Sequence, residues 1–433
     1  MQLSRLPVVR ECVVIAAFTA LACVGTYPLI EHFATAVPAG GDTWASYWNL
    51  FWVKRALLEL HVNPFFSPEL YFPNGASLYF HTLNFLQSVL SLPVAAIWGL
   101  PAAYNYLVFL SFILTGYATY RLALYVLQTD LATSESGGAT GVARHGAFLA
   151  GVVFAFSSYR YVHVLGHLDL VSTQWLPLFV LFALKTVRES GWRNPVIAAV
   201  WLAAATLTTS YYLLFLLVFT GLLLAWIVVR RPDRWQSTAG RLAGALVFSG
   251  LLLSPILVPM VRQGEEAGRT PNPAYDIDRF SGDLASFLIP SSRAPWSRGI
   301  AAPLRSAVTR PGTSIEGTLF LGYLPMLLAG VGLTQRAGRG FWLVVFIAFA
   351  ALALGPVLYV AGARVPAISQ LMPYRLLLHV PFGDVPRVPA RFVVMAGMGL
   401  AMLASIGVRR LFREQPQWVA ALGVPLFTAI IIA

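Results

Sequence analysis

The stretch "NFLQSVLSLPVAAIWGL" (residues 84–100) decides which way the rest of the chain faces. It is apolar, but Pro93 interrupts it, and about 17 residues fall short of the roughly 20 that a membrane-spanning helix needs. Later in the chain, short loops carry Arg144, then Lys185, Arg188 and Arg193, then Arg230, Arg231, Arg234 and Arg241, then Arg336 and Arg339, and finally Arg409, Arg410 and Arg413. If 84–100 does not cross the bilayer, all of these loops fall on the side of Arg5 and Arg10. That side is the cytoplasm by the positive-inside rule. If it does cross, parity flips and every basic loop moves outside. The segment therefore reads as a re-entrant or membrane-surface piece on the outer face.

Composition requires a bilayer in the first place. Of 433 residues, 58% are hydrophobic and only 11% are charged, against about a quarter charged in ordinary soluble domains. Mean hydropathy is +0.70. Apolar runs of span length recur at 11–30, 103–127, 146–162, 170–187, 195–210, 211–229, 241–261, 318–334, 341–361, 392–408 and 417–433. The expectation is an all-α polytopic membrane protein of about eleven transmembrane helices forming a single domain over 1–433. The first run lacks a small-x-small cleavage site before Pro28 and reads as a retained span, with the N-terminus in the cytoplasm. The sequence closes inside an apolar run, "VPLFTAIIIA", so a continuation beyond residue 433 is expected. Cys12 and Cys23 share the first run, about 16 Å apart along a helix, too far for a disulfide. The net charge of +12 serves orientation first. No soluble basic domain exists to take nucleic acid.

This topology sorts the polar residues. Three long segments, 31–102, 262–317 and 362–391, face outward, together with the corners "SSYRYVHVLGHLDL" (157–170) and "TTSYY" (208–212). His32, His61, His81, His163, His167 and His379 fall on that face, with Asp42, Glu59, Glu69, Asp169, Glu316 and Asp384. Any chemistry is extracytoplasmic, away from ATP, and no P-loop or dinucleotide glycine motif occurs. The segment "TDLATSESGGATG" (129–141) reads as a flexible inner loop.

The first exit, "PAGGDTWASYWNLFW" (38–52), is the most distinctive of these segments. Gly40 and Gly41 permit a sharp turn, and Asp42 is placed to cap a helix beginning at Thr43. Trp44, Trp48 and Trp52 recur every fourth residue, which predicts an interfacial helix anchored by an aromatic face. Such a helix would hold Asp42 at the bilayer surface, where the head group of a lipid-linked substrate sits. In "YRYVHVLGHLDL", Arg160, His163, His167 and Asp169 cluster at an outer corner. One reading is interfacial histidines bonded to loops; the other is that Arg160, His163, His167 and Asp169 contribute to an acceptor or donor pocket, where the spacing of His163 and His167, one that metals use on a helix, allows a divalent ion with Asp169. His81 and Glu69 border the 84–100 segment, and Glu316 opens the span after the large loop, where it would also suit the helix dipole.

These features together resemble the GT-C superfamily, integral-membrane glycosyltransferases that use polyprenyl-phosphate-linked sugars. "GGDTWASYWNLFW" fills the place of the acid at a helix start in the first extracytoplasmic loop. "NPFFSPELYFPNGASLYFHTLNFLQSVLSLP" (63–93) is similar to the Pro- and aromatic-rich remainder of that loop in bacterial members. "TYRLALYVLQ" and "GAFLAGVVFAFSSYRYVHVLGHLDLVSTQWLPL" come next as the basic inner turn and the further spans. The resemblance covers roughly 10–230 and more loosely the rest. It implies a GT-C-like fold, a sugar moved from the carrier to a lipid, glycan or protein acceptor, and Asp42 as the base on the acceptor hydroxyl. It also supports a functional acid on the second outer loop, where Asp169 is the nearest. Many members carry an acidic pair where Asp42 stands alone, which argues against a metal there.

The chemistry asks for the same parts. Inverting transfer needs one carboxylate opposite the leaving group, and a lipid phosphate leaves as an anion that cations must stabilise. "DVPRVPARF" offers Arg387 and Arg391 before a span, with Arg375 upstream. Arg262, Arg269, Arg279, Arg293, Arg298, Arg305 and Arg310 in the large loop read instead as partners of its acids or of lipid phosphates. A transporter or flippase of lipid-linked glycans is the alternative. It would carry polar groups within its spans, and these are nearly free of charge. A non-catalytic membrane subunit is the third reading, and it would not require an acid at the first exit.

Overall fold

The computed structural model describes residues 7–130, 138–267, 274–291, 297–308, 313, 315–379 and 387–432. Arg269, Arg293, Arg310, Asp384 and most of the expected inner loop 129–141 lie outside the described residues. The helices are α1 (Pro7–Gly25), α2 (Thr43–Lys54), α3 (Phe85–Asp130), α4 (Gly138–Ala155), α5 (Ser158–His163), α6 (Leu168–Val171), α7 (Trp175–Arg188), α8 (Arg193–Thr208), α9 (Ser210–Arg230), α10 (Trp235–Ala267), α11 (Ala274–Arg279), α12 (Arg298–Val308), α13 (Tyr323–Leu333), α14 (Arg339–Ala353), α15 (Pro366–Ser369), α16 (Tyr374–Leu377), α17 (Val393–Phe412) and α18 (Gln417–Ile432). The strands are two short antiparallel pairs, β1 (Phe66–Ser67) with β2 (Ala76–Ser77) and β3 (Tyr359–Val360) with β4 (Ala363–Arg364).

Each apolar run of the sequence contains a helix, and the chain is an all-α, membrane-type fold. Among the described residues five helices are long and apolar enough to cross a bilayer: Val8–Gly25, Phe85–Thr129, Ser210–Arg230, Trp235–Glu265 and Pro389–Phe412. Helices α13, α14 and α18 are apolar but shorter. The segment 84–100 is helical, and a break at Gly99, whose φ of +83° suits glycine alone, separates it from the rest of α3. Pro101, two residues on, fits that break because it brings no N–H to the first turn of the next helical stretch.

The chain divides into two compact units, 1–115 with 163–269 and 116–162 with 270–433. In the first, α7 packs on α8, and α8 on α9 and α10. The loop after α1 builds its own small core. Trp52, Val53, Ala56, Leu78 and Leu83 are buried together, with Trp48, Phe65, Leu70 and Phe85 against them. Helix α2 contributes because Trp52 and Val53 share its inward face. The β1–β2 pair then folds 63–80 back over it, and the Leu78 N–H bonds the Phe65 carbonyl (2.8 Å).

In the second unit α17 is the hub, buried almost throughout and packed on α4, α13 and α14. Small residues permit this. A Cβ on Gly332 would lie 2.2 Å from the Leu403 carbonyl oxygen, and one on Gly407 would lie 1.9 Å from that of Leu328, so the backbones of α13 and α17 touch. Segments 274–291 and 353–379 pack together. The buried Asp283 carboxylate accepts from Ala285 N (2.8 Å), Ala361 N (3.0 Å) and Gly362 N (2.7 Å), and so holds the β3–β4 turn.

Candidate functional site

The site in the first unit is built where the loop after α1 meets the 163–167 turn. Two bonds from Asn105 on α3, to the Phe33 and Ala36 carbonyls (2.9 and 2.7 Å), fix the chain before the loop. The Thr43 hydroxyl then donates to the Pro38 carbonyl (3.0 Å), closing a tight bend around Gly40 and Gly41. A Cβ on Gly40 would sit 1.3 Å from the Leu165 carbonyl oxygen, so only glycine allows this contact. On the other side Gly166, at φ +155°, stands with the position of its missing Cβ 3.4 Å from Asp42 N. The expected sharp turn is present, and the glycines serve a backbone contact as much as the turn.

That contact sets Asp42 against His167, with Oδ2 and Nε2 3.1 Å apart. The imidazole is 16% exposed and the carboxylate 69%. The expected capping bond is not made. Asp42 is the N-cap residue, but its backbone sits at φ −90°, ψ 1° rather than in the β-region that aims a side chain at the first-turn amides, and its carboxylate is turned to His167. The other oxygen, Oδ1, accepts no bond among the described residues and is open to solvent. The pairing therefore orients one oxygen and leaves the second available.

Around the pair, His163 is buried with its ring 5.1 Å from that of His167. Asp169 is buried on α6, whose Leu170 carbonyl is held by the Tyr212 hydroxyl (2.6 Å). The "TTSYY" corner thus braces the histidine turn. Asp42 pairs with His167, and among the described residues Asp169 does not join His163 and His167 in a group that could hold a common ion. A Gly166-broken turn after α5 takes the second histidine off the helix that its spacing assumed. Arg160, on α5, is buried with Nη1 donating to the Ala155 carbonyl (2.6 Å).

His81, Glu69 and two of the tryptophans have partners within the loop itself. His81 Nε2 lies 2.9 Å from Asn49 Oδ1, and the Asn49 amide donates to the Thr82 carbonyl (2.7 Å). Loss of water on that side lowers the His81 pKa. Glu69 pairs with Arg55 (2.7 Å), which also meets Glu59 (3.2 Å), in a solvent-exposed network. Of the three tryptophans, Trp44 is exposed and suits an interfacial anchor. Trp52 is fully buried, donates to the Pro64 carbonyl (2.9 Å) and stacks on Trp48. The anchoring expected of all three fails because residues four apart are offset by about 40° on a helix, and two such steps turn Trp52 into the loop's own core.

In the second unit Arg391 grips Glu316 in a nearly buried two-pronged pair, Nε lying 3.1 Å from both carboxylate oxygens and Nη2 closing on Oε1. Arg375 Nε donates to the Ser369 and Pro356 carbonyls (2.8 and 3.3 Å). Arg387 is exposed. Arg305, grouped by sequence with the surface arginines, is instead buried. It donates from Nη2 to the Thr318 hydroxyl (2.9 Å), and desolvation lowers its pKa. The amphipathic spacing of α12 was its one local signal.

Fold and site define a helical membrane protein with a carboxylate–imidazole pair at its first exit loop. The chain belongs to the family described as a domain of unknown function, DUF6311, whose model matches residues 13–432. Among solved structures it is similar to the arabinofuranosyltransferase AftD from Mycobacteria, determined by single-particle cryo-EM, with a TM-score of 0.54 and 16% identity. The match covers 99% of this chain and 26% of that one. This supports the GT-C-like fold expected from the sequence. No curated protein matches the chain.

Proposed function

We propose that this protein is a membrane glycosyltransferase that moves a sugar from a polyprenyl-phosphate carrier to a lipid, glycan or protein acceptor on the extracytoplasmic face, with Asp42 as the general base. The observation that carries the reading is the Asp42–His167 pair. One carboxylate oxygen is held at 3.1 Å by an imidazole while the other is open. A glycosyltransferase fold in the matched structure gives this geometry its chemical context. Asp42 Oδ1 takes the acceptor hydroxyl proton as the acceptor oxygen bonds to the anomeric carbon. The carbon–oxygen bond to the phosphate breaks with its electron pair on the phosphate oxygen. His167 holds the carboxylate in place and shares its charge, as carboxylate–histidine pairs do. Arg387, which is exposed, is the arginine assigned to the departing phosphate. Arg391 would serve only through exchange with Glu316.

The test is transfer of labelled sugar from a polyprenyl-phosphate donor in liposomes. Asp42→Asn keeps the shape and removes the base, and transfer is expected to fall by about 10²–10⁴-fold. Undiminished transfer would overturn the assignment. Arg387→Ala should weaken donor binding while leaving the folded protein intact.

A further inference from the structure

The loop after α1 ends in a tip that its own core leaves uncovered. Strands β1 and β2 are joined by 68–75, "PELYFPNG", which closes in a turn with the Asn74 N–H on the Tyr71 carbonyl (3.1 Å). Leu70 packs inward against the core around Trp52. The next two residues turn outward, and Tyr71 is 83% exposed and Phe72 85%. Behind them the Phe66 ring lies over Gly75, where a Cβ would come within 2.4 Å of it, so the base of the hairpin is closely packed. From Leu70 to Phe80 no residue is charged, and Glu69, just before, is paired with Arg55 (2.7 Å). Water solvates such a tip poorly.

We infer that Tyr71 and Phe72 insert into the surface of the bilayer and hold the loop there. Two observations select lipid over a protein partner. The hairpin rests on the end of α10, a helix long and apolar enough to cross a bilayer. Ser77 Oγ donates to Gln263 Oε1, and the Phe80 ring lies 3.1 Å from the position a Cβ would take on Gly264. The apolar run of that helix ends at Val261. Both contacts fall within the turn that follows, so the hairpin stands at head-group depth. The second observation is area. Two aromatic side chains offer about 300–500 Å², while a specific protein interface takes about 800 Å² from each partner. A bilayer accepts a tip of that size, and its interface favours aromatic rings. The tip thus supplies the anchoring that Trp48 and Trp52, stacked on each other in the loop, do not. The inference depends on α10 crossing the bilayer and is independent of the glycosyltransferase reading.

The experiment is electron paramagnetic resonance of the full chain in phosphatidylcholine liposomes. Cys12 and Cys23 are replaced by Ala, and a nitroxide is attached through Tyr71→Cys, Phe72→Cys or, as a water-exposed comparison, Asp233→Cys. Collisions with oxygen, which concentrates in hydrocarbon, are compared with collisions with a nickel chelate, which stays in water and is present on both faces. Labels at 71 and 72 should favour oxygen, and the label at 233 the chelate. Neither tip variant should shift the thermal midpoint in detergent, since both side chains are exposed; if one does not fold, the other carries the test. Equal access of the chelate to 72 and 233 would place the tip in water and overturn the inference. Shielding from both reagents would seat the tip against protein, a partner or a second copy, and overturn lipid as the occupant. Replacing both aromatics, Tyr71→Ser with Phe72→Ser, should release a label attached through Asn74→Cys to the chelate. A label that stays protected would mean that the contact with α10 holds the hairpin without the tip, which also overturns the inference. Because the readout is depth in the bilayer, failure here and failure of sugar transfer are separate results.

Discussion

Gly40 lies so close to Leu165 that a Cβ at position 40 would come within 1.3 Å of the Leu165 carbonyl oxygen. Both partners of that contact are backbone, so neither can swing aside, and the two loops must separate to admit a methyl group. Gly40→Ala is therefore expected to cost about 1–3 kcal/mol and to pull Asp42 away from His167. Gly41 is the internal control, because a Cβ there meets nothing within 4 Å. Gly41→Ala should stay within about 0.5 kcal/mol of the parent. Thermal unfolding in detergent, read beside sugar transfer, checks both. Equal behaviour of the two variants would mean that the close approach does not hold the loop.

The tryptophans separate in the same way. Trp52 is fully buried against Val53, Ala56, Leu78 and Leu83 and its indole N–H is bonded, so Trp52→Ala should cost about 3–5 kcal/mol. Trp44 is 69% exposed, and Trp44→Ala should leave stability in detergent within about 0.5 kcal/mol. Its effect belongs to the bilayer, as weaker anchoring of α2 measured by quenching from lipid-attached probes. If Trp44→Ala destabilised the micellar protein as much as Trp52→Ala, the division between core and anchor would be wrong.

Glu316 and Arg391 form a pair with side chains 10% and 13% exposed. Removing one partner strands the other charge in a poorly solvated place. Arg391→Met and Glu316→Gln alone should each cost about 3–5 kcal/mol, while the double variant should recover much of that. A double-mutant cycle by chemical denaturation measures it. Additive losses would mean that the pair is solvated in practice and that Arg391 is free to meet a phosphate.

How much of the fold and site is legible in the sequence depends on the range of each interaction. The apolar runs are local, and every one contains a helix. The amphipathic start of α2 at Thr43 is equally local. Asp42 and His167 both stand out by residue type and by the outer face to which parity assigns them. Their pairing joins positions over a hundred residues apart, and no spacing rule encodes it. The cap at Asp42 is a sound local inference that a long-range partner displaces. Trp52 is misassigned because an interval of four looks like one face over a single step and drifts over two. Arg305 is lost among surface arginines because its partner, Thr318, lies on another segment, and the amphipathic spacing of α12 alone does not single out which arginine is buried. The same limit applies to Glu69, whose nearest cation comes from an adjoining π-helical turn at Arg55.

His81 gives a prediction in pH. Its Nε2 faces Asn49 Oδ1 at 2.9 Å, and since the Asn49 amide nitrogen is used by Thr82, the contact needs a proton on Nε2. The neutral ring supplies it. Loss of water disfavours the second proton and lowers the pKa from its ordinary 6.5 in the folded protein. The unfolded chain then takes up protons at a higher pH than the folded one. Above pH 6.5 both forms are neutral and the contribution of the contact is fully present. As pH drops below 6.5 the unfolded form is protonated first, and stability falls until the folded pKa is passed. The thermal midpoint should therefore decline between pH 7 and pH 5, and His81→Gln, which keeps a donor but cannot titrate, should show a shallower decline over the same window. The difference between the two slopes isolates this ring from the other histidines. Identical slopes would show that His81 is as well hydrated when folded as when unfolded, and that the Asn49 contact does not exclude water.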